Sequence, residues 1–186
     1  MKMIYKHLKN NNFTLAIDTI ETNSEHPLQV PPHIKNQKKI KEWINSRHLI
    51  KTLWPDLKLS RNSYGAPEIQ NGAISISHTD KYVAVIKTKN KAAIDIEKIR
   101  SKALKLSKKF MNQQELQKFS NELNATICWS AKECLFKIHQ KGKIDFCEDL
   151  KVELIEKDFV ICYLFDQRIK LNYEKFDDHI LLYYYE

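Results

Sequence analysis

Ala93-Ile94-Asp95-Ile96-Glu97 is a short β-branched run that carries two carboxylates one residue apart. Strand side chains alternate between faces, so Asp95 and Glu97 fall on one side and Ile94 and Ile96 on the other. Two ionised carboxylates on one face repel each other unless something cationic lies between them. Taken alone, such a pair is better read as a solvated polar strand face. The surrounding chain has to supply a sheet, a cation and a third ligand before the pair means more.

The sheet is readable on both sides. Upstream, Ile74-Ser75-Ile76-Ser77 alternates as a strand and breaks at His78-Thr79-Asp80; Tyr82 to Lys87 is a second strand. Asn90-Lys91 turns the chain into Ala92 to Glu97, and three short strands with tight turns predict an antiparallel meander. Asn62-Ser63-Tyr64-Gly65-Ala66-Pro67 is a turn cluster, and Asn71-Gly72 is a hairpin signal. Earlier still, Asn12 to Ile20 alternates as a strand. Asn23 to Pro32 is a loop, and a helical period runs from Ile34 to about Trp54, before Pro55. Downstream, helical signals cover Ala103 to Phe110, Gln113 to Phe119 and about Asn121 to Gln140. Strands then follow near Lys151–Glu156, Phe159–Phe165, Gln167–Tyr173 and His179–Tyr185. This order predicts an α+β protein of two related halves, residues 1–98 and 99–186.

Composition narrows the partners. The 186-residue chain carries a formal charge of +8, which favours an anionic partner such as a phosphorylated cofactor, an acidic protein or nucleic acid. Its lysines are scattered rather than gathered into one arm, which argues against nucleic acid. No apolar run approaches the ~20 residues needed to cross a membrane, and Met1 to His7 lacks the apolar core of a signal peptide. Cys128, Cys134, Cys147 and Cys162 show no CxxC spacing, so neither a zinc site nor a disulfide framework is indicated. Reduced thiols fit a cytoplasmic protein.

Two helices carry charge where periodicity expects apolar cover. On the first, Arg47 lies within the stripe Ile40, Trp43, Ile44, Ile50 and Trp54. A guanidinium there needs a partner: an internal salt bridge, for instance with Glu42, or a phosphate. On the long second-half helix, Ile127, Ala131, Cys134, Leu135 and Ile138 form the core face. The other side carries Trp129, Lys132, Glu133, Phe136 and Lys137, with Glu133 and Lys137 four apart. An exposed ion pair would read the same way, but two large aromatics beside it imply cover on both sides. Asp95, Glu97 and Glu133 together would give three hard oxygen ligands for Mg²⁺, with Arg47, His78 and Lys137 as positive charge for an anion. That layout suits chemistry at a phosphate or pyrophosphate. A metal-dependent phosphohydrolase or nuclease would use the same carboxylates, whereas a basic nucleic-acid-binding module would bind in a salt-sensitive way that survives loss of Glu133.

The motifs in order resemble the 4′-phosphopantetheinyl transferases of the two-domain surfactin-synthetase-activating type. They are Gly65-Ala66-Pro67, Ile74 to Thr79, Ala93 to Glu97, and Trp129-Ser130-Ala131-Lys132-Glu133-Cys134-Leu135-Phe136-Lys137, with Trp43 to Arg47 also similar. The similarity covers roughly residues 40 to 145. It implies two similar α+β halves related by a pseudo-twofold, each an antiparallel sheet packed with helices, with the active site at their junction. It further implies that Asp95, Glu97 and Glu133 hold Mg²⁺ (or Mn²⁺) with the pyrophosphate of coenzyme A, and that Glu133 is also the candidate base. Lys137 would bind phosphate and stabilise developing charge; Arg47 and His78, with Ser77 beside them, would bind the 3′-phosphate region. The implied partner is an apo acyl- or peptidyl-carrier protein, and the implied enzyme is a monomer. Ala66 stands where many relatives carry lysine, so that cofactor contact must come from elsewhere, for instance Lys38 or Lys39. Ala93 and Thr79 are milder departures.

Overall fold

The Ala93–Glu97 run lies inside strand β7 (Ala92–Lys98), and its alternation holds in three dimensions: Ile94 and Ile96 enter one apolar cluster, while Asp95 faces away from it. The structure is a computed structural model that describes residues 6–20 and 29–186. The expectations for Met1 to Tyr5, and for the loop from Asn23 to Leu28, lie outside the described residues.

Two antiparallel sheets carry the architecture. The first has the order β1 (Lys6–Lys9), β2 (Phe13–Thr19), β6 (Tyr82–Thr88), β5 (Ala73–His78). The second runs β7, β11 (His179–Tyr185), β10 (Gln167–Phe176), β9 (Phe159–Leu164), β8 (Leu150–Ile155). A small hairpin, β3 (Leu59–Arg61) with β4 (Pro67–Ile69), precedes β5. The sheets meet face to face through Phe13, Leu15, Ile17, Ala84 and Ile86 from the first and Ile94, Ile96, Leu181 and Tyr183 from the second. Helix α1 (Gln37–Leu53) covers the other face of the first sheet, placing Leu49 and Ile50 on Ala16, Val83 and Val85. Helix α4 (Glu122–His139) covers the other face of the second with Ile127, Ala131, Cys134 and Leu135. The protein is thus a mixed α+β fold of four layers: helix, sheet, sheet, helix.

Sequence alternation explains the layering. In β2, Leu15 and Ile17 point to the central core while Ala16 points to α1, so the strand is apolar on both faces over Leu15–Ile17. Short helices α2 (Ser101–Leu106) and α3 (Gln113–Lys118) bridge β7 to α4. Asn112 and Glu115 close a capping box on α3, and Asn121 caps α4 by accepting from the Asn124 N–H. Among the described residues no helix is long and apolar enough to cross a membrane.

The meander expectation needs one correction. β5 and β6 pair as expected, but β7 does not pair with β6; it becomes the edge of the second sheet, with Asp95 opposite Leu182 on β11. Its isoleucines pack against the first sheet face to face, which a strand within that sheet could not do. On the open side of β7, serine hydroxyls replace a ladder: the Ile94 N–H donates to Ser75 Oγ (3.1 Å) and the Ile96 N–H to Ser77 Oγ (3.2 Å). Backbone donors at a buried edge need such partners.

Candidate active site

Two elements, β5 of the first sheet and helix α4, converge on Asp95 of β7, a residue only 4% exposed. Its Oδ1 accepts from Ser77 Oγ on β5 (2.8 Å) and from Lys137 Nζ on α4 (2.8 Å), and its Oδ2 accepts from Ser130 Oγ on α4 (2.7 Å). Lys137 donates also to the Ile94 carbonyl (2.7 Å). A buried carboxylate is tolerable when it is paired and fully hydrogen-bonded, and Asp95 is both. Burial is the largest influence and would lower the Lys137 ammonium, but Asp95, Cys134 and Glu133 together outweigh it and the lysine's pKa is raised. Ser130 is the member of this cluster that sequence reasoning passes over. Its position, seven residues before Lys137 on the same helical stripe, is the available signal.

Glu97 and Glu133 lack such satisfaction. The Trp129 indole N–H donates to Glu97 Oε1 (3.0 Å), yet burial first, then the charges of Asp95 and Glu133, push the Glu97 carboxyl up to about 7. Burial, followed by Asp95, also raises Glu133, with Lys137 opposing. Glu97 therefore feels the charges of both Asp95 and Glu133, and Glu133 feels that of Asp95, with Lys137 as the opposing charge on Glu133. Among the described residues, no group of three or more His, Cys, Asp or Glu side chains is placed so that it could hold a metal ion. Asp95, Glu97 and Glu133 are nonetheless hard oxygen donors, the type of group that a divalent cation such as Mg²⁺ takes. Glu97 and Glu133 offer strained carboxylate oxygens that such a charge would relieve, beside an Asp95 already held in place.

The basic residues expected to serve an anion sit on the first-sheet side. His78, at the end of β5, is partly exposed with its Nδ1 3.4 Å from Glu42 Oε1. Burial lowers its pKa, Glu42 opposes, and Lys137 and Asp95 act with opposite signs, which puts His78 within reach of the acidic cluster. Glu42 also faces Lys38 at 3.9 Å. Among the described residues no salt bridge joins Glu42 to Arg47, because that carboxylate is engaged by His78 and Lys38. Instead, Arg47 lies over the Trp43 ring, 5.1 Å from its centroid, and donates to Ser46 Oγ (3.1 Å). Burial and the nearby Arg61 lower Arg47 to about 10, and among the described residues it has no carboxylate partner. Arg61 is a second residue that sequence reasoning misses. It donates to the Gly65 carbonyl (2.6 Å), so a guanidinium stands beside the Gly65-Ala66-Pro67 turn where Ala66 supplies no charge.

Cavities flank the acidic cluster on both sides. One, of about 650 Å³, has an apolar floor of Leu106, Phe110, Trp129 and Phe146, with Glu97 and Arg100 at its wall. The other, about 210 Å³, lies between Tyr64 and Ala66 on one side and Glu133, Phe136 and Lys137 on the other. A substrate with a charged middle and two dissimilar ends can thus span the seam. Fold and site define an α+β protein with a carboxylate–lysine centre between an apolar pocket and a basic first-sheet edge.

Comparison with known families agrees: the model of the 4′-phosphopantetheinyl transferase superfamily matches residues 92–183, from β7 through β11. The match supports a transferase and contains Asp95, Glu97, Ser130, Glu133 and Lys137, while Arg47, Ser77 and His78 lie before it. No curated protein sequence matches the chain.

Proposed function

We propose that the protein transfers the 4′-phosphopantetheine arm of coenzyme A to a serine of an apo acyl- or peptidyl-carrier protein, as an Mg²⁺-dependent enzyme of the two-domain surfactin-synthetase-activating type. The observation that carries this reading is the convergence of Ser77, Ser130 and Lys137 on Asp95, with Glu97 and Glu133 electrostatically coupled to it. Most of these residues lie in the stretch that matches the superfamily.

Asp95, Glu97 and Glu133 would hold the Mg²⁺, or Mn²⁺ in its place, together with the pyrophosphate of coenzyme A. The cation supplies charge neutralisation at the phosphorus under attack. Glu133, its pKa raised by burial, is suited to take the proton from the attacking serine hydroxyl. The serine oxygen then bonds to the phosphorus that bears pantetheine. The bond from that phosphorus to the bridging oxygen breaks, and adenosine 3′,5′-bisphosphate leaves. Lys137 binds the phosphate oxygens as charge shifts toward the leaving group. Arg47, His78 and Ser77 bind the 3′-phosphate region, and Arg61 replaces the charge that Ala66 lacks. The net charge of +8 steers both coenzyme A and acidic carriers toward the site. We place the two halves at residues 1–98 and 99–186 of one cytoplasmic, monomeric chain.

Incubation with coenzyme A, Mg²⁺ and several apo carriers tests the proposal, because each modified carrier gains about 340 Da in its intact mass. No gain on any carrier refutes it.

A further inference from the structure

Next to Glu133 in α4, Lys132 is completely buried, which is rare for a lysine and demands an explanation. Its Nζ donates to Glu115 Oε2 on α3 (2.6 Å), to the Phe110 carbonyl (2.7 Å) and to the Phe146 carbonyl (2.8 Å). The other oxygen of Glu115 accepts the Val152 N–H on β8 (2.7 Å). Three donations exhaust the ammonium's hydrogens, so nothing is left over for a substrate. Two of its acceptors belong to residues whose rings brace Trp129. Phe110 meets the indole edge-on at 5.1 Å between centroids, and Phe146 stacks on it at 5.7 Å. The braced indole in turn donates to Glu97 (3.0 Å). The same two phenylalanines and Trp129 floor the 650 Å³ cavity.

We propose that Lys132 is a positioning residue: by tying the Phe110 and Phe146 backbones to α4, it fixes the two rings that hold Trp129 against Glu97. This rests on the transfer reading for its effect on rate, but its effect on the indole is independent of any reaction. A core filler would have served stability as well, since a buried ion pair replaced by apolar groups is often neutral. What an apolar side chain cannot do is hold two separate loop carbonyls at a fixed distance from one helix.

The test is Lys132→Met combined with Glu115→Gln, which removes both charges together and keeps an acceptor for the Val152 N–H. The double variant is expected to melt within about 5 °C of wild type, because no orphan charge remains. In its ¹H–¹⁵N spectrum the Trp129 indole N–H, assigned through Trp129→Phe, should shift and exchange faster with solvent. Carrier modification should fall about 10- to 100-fold in kcat/KM, the usual cost of losing a residue that orients a ligand-bearing group. A folded double variant with an unmoved indole signal and wild-type rate overturns the proposal. Should that variant not fold, Phe146→Leu removes one brace while leaving the backbone clamp intact. An unmoved indole signal there overturns the proposal equally. Failure of the wild-type protein to modify any carrier would refute the transfer reading and leave the spectroscopic result to decide the role of Lys132.

Discussion

Replacing Glu97 with glutamine is expected to make the metal-free protein more stable at pH 8 and no more stable at pH 4. Burial, followed by the charges of Asp95 and Glu133, raises the Glu97 carboxyl from 4.5 to about 7. The folded chain therefore holds this proton more tightly than the unfolded chain does. The resulting stabilisation is complete below about pH 4.5 and is lost as pH rises through about 7. At about 1.4 kcal/mol for each pH unit, the loss approaches about 3 kcal/mol by pH 8. The glutamine of Glu97→Gln retains the oxygen that accepts from the Trp129 indole but cannot ionise, so it escapes the loss. At about 2–4 °C per kcal/mol for a chain of this size, the gain at pH 8 is up to about 10 °C. Thermal melts of both proteins in a chelator at the two pH values measure it. Millimolar Mg²⁺ should reverse the order at pH 8, because a cation bound by ionised Glu97 stabilises wild type by mass action and the substitution removes a ligand. A variant that melts at or below wild type at pH 8 in chelator would refute the argument that Glu97 is strained by its neighbours.

Three further outcomes test neighbouring residues. Asp95→Ala strands the Lys137 ammonium beside the Ile94 carbonyl and should cost about 2–4 kcal/mol in urea unfolding. Adding Lys137→Met should recover much of it; an Asp95→Ala protein as stable as wild type contradicts the pairing. Glu133→Gln should lower carrier modification about 100-fold or more while calorimetry still detects coenzyme A binding, and a near-wild-type rate removes its role as base. Wild type should bind coenzyme A about 10- to 100-fold more tightly than 3′-dephospho-coenzyme A, and Arg47→Ala should abolish the difference. Equal affinities in wild type would show that Arg47 does not meet that phosphate.

Much of this arrangement is written in local patterns. Alternation in Ala93–Glu97 separates Asp95 and Glu97 from the isoleucines, and the 3.6-residue period of α4 marks its buried side and its Glu133–Lys137 stripe. What local pattern does not encode is the partner of a strand. A short turn such as Asn90-Lys91 reads the same whether the next strand pairs beside its predecessor or packs across from it. Hence the meander reading puts β7 in the wrong sheet. The basic segment Lys6–Lys9 holds one leucine and leaves no strand signal, although β1 pairs there with β2. By helical period Lys132 groups with the aromatics and charges of the outer side of α4. Its buried partners lie 14 to 22 residues away in sequence, out of reach of any such period.

The three carboxylates that the sequence makes equivalent are physically unequal. Asp95 has its oxygens engaged by two hydroxyls and an ammonium drawn from β5 and α4, so it helps to hold the two sheets and the helix together. Glu97 and Glu133 bear the burial and repulsion without a matching set of donors. On the proposed reading, a cation entering the seam would gain little new from Asp95, whose field is already partly answered by Lys137. Its binding would be driven mainly by relief at the two glutamates. Loss of Asp95 should therefore register first as loss of stability, and loss of either glutamate first as loss of metal response. The seam can then be stable before ligand arrives and still hold enough unrelieved electrostatic strain to favour one charged ligand over water.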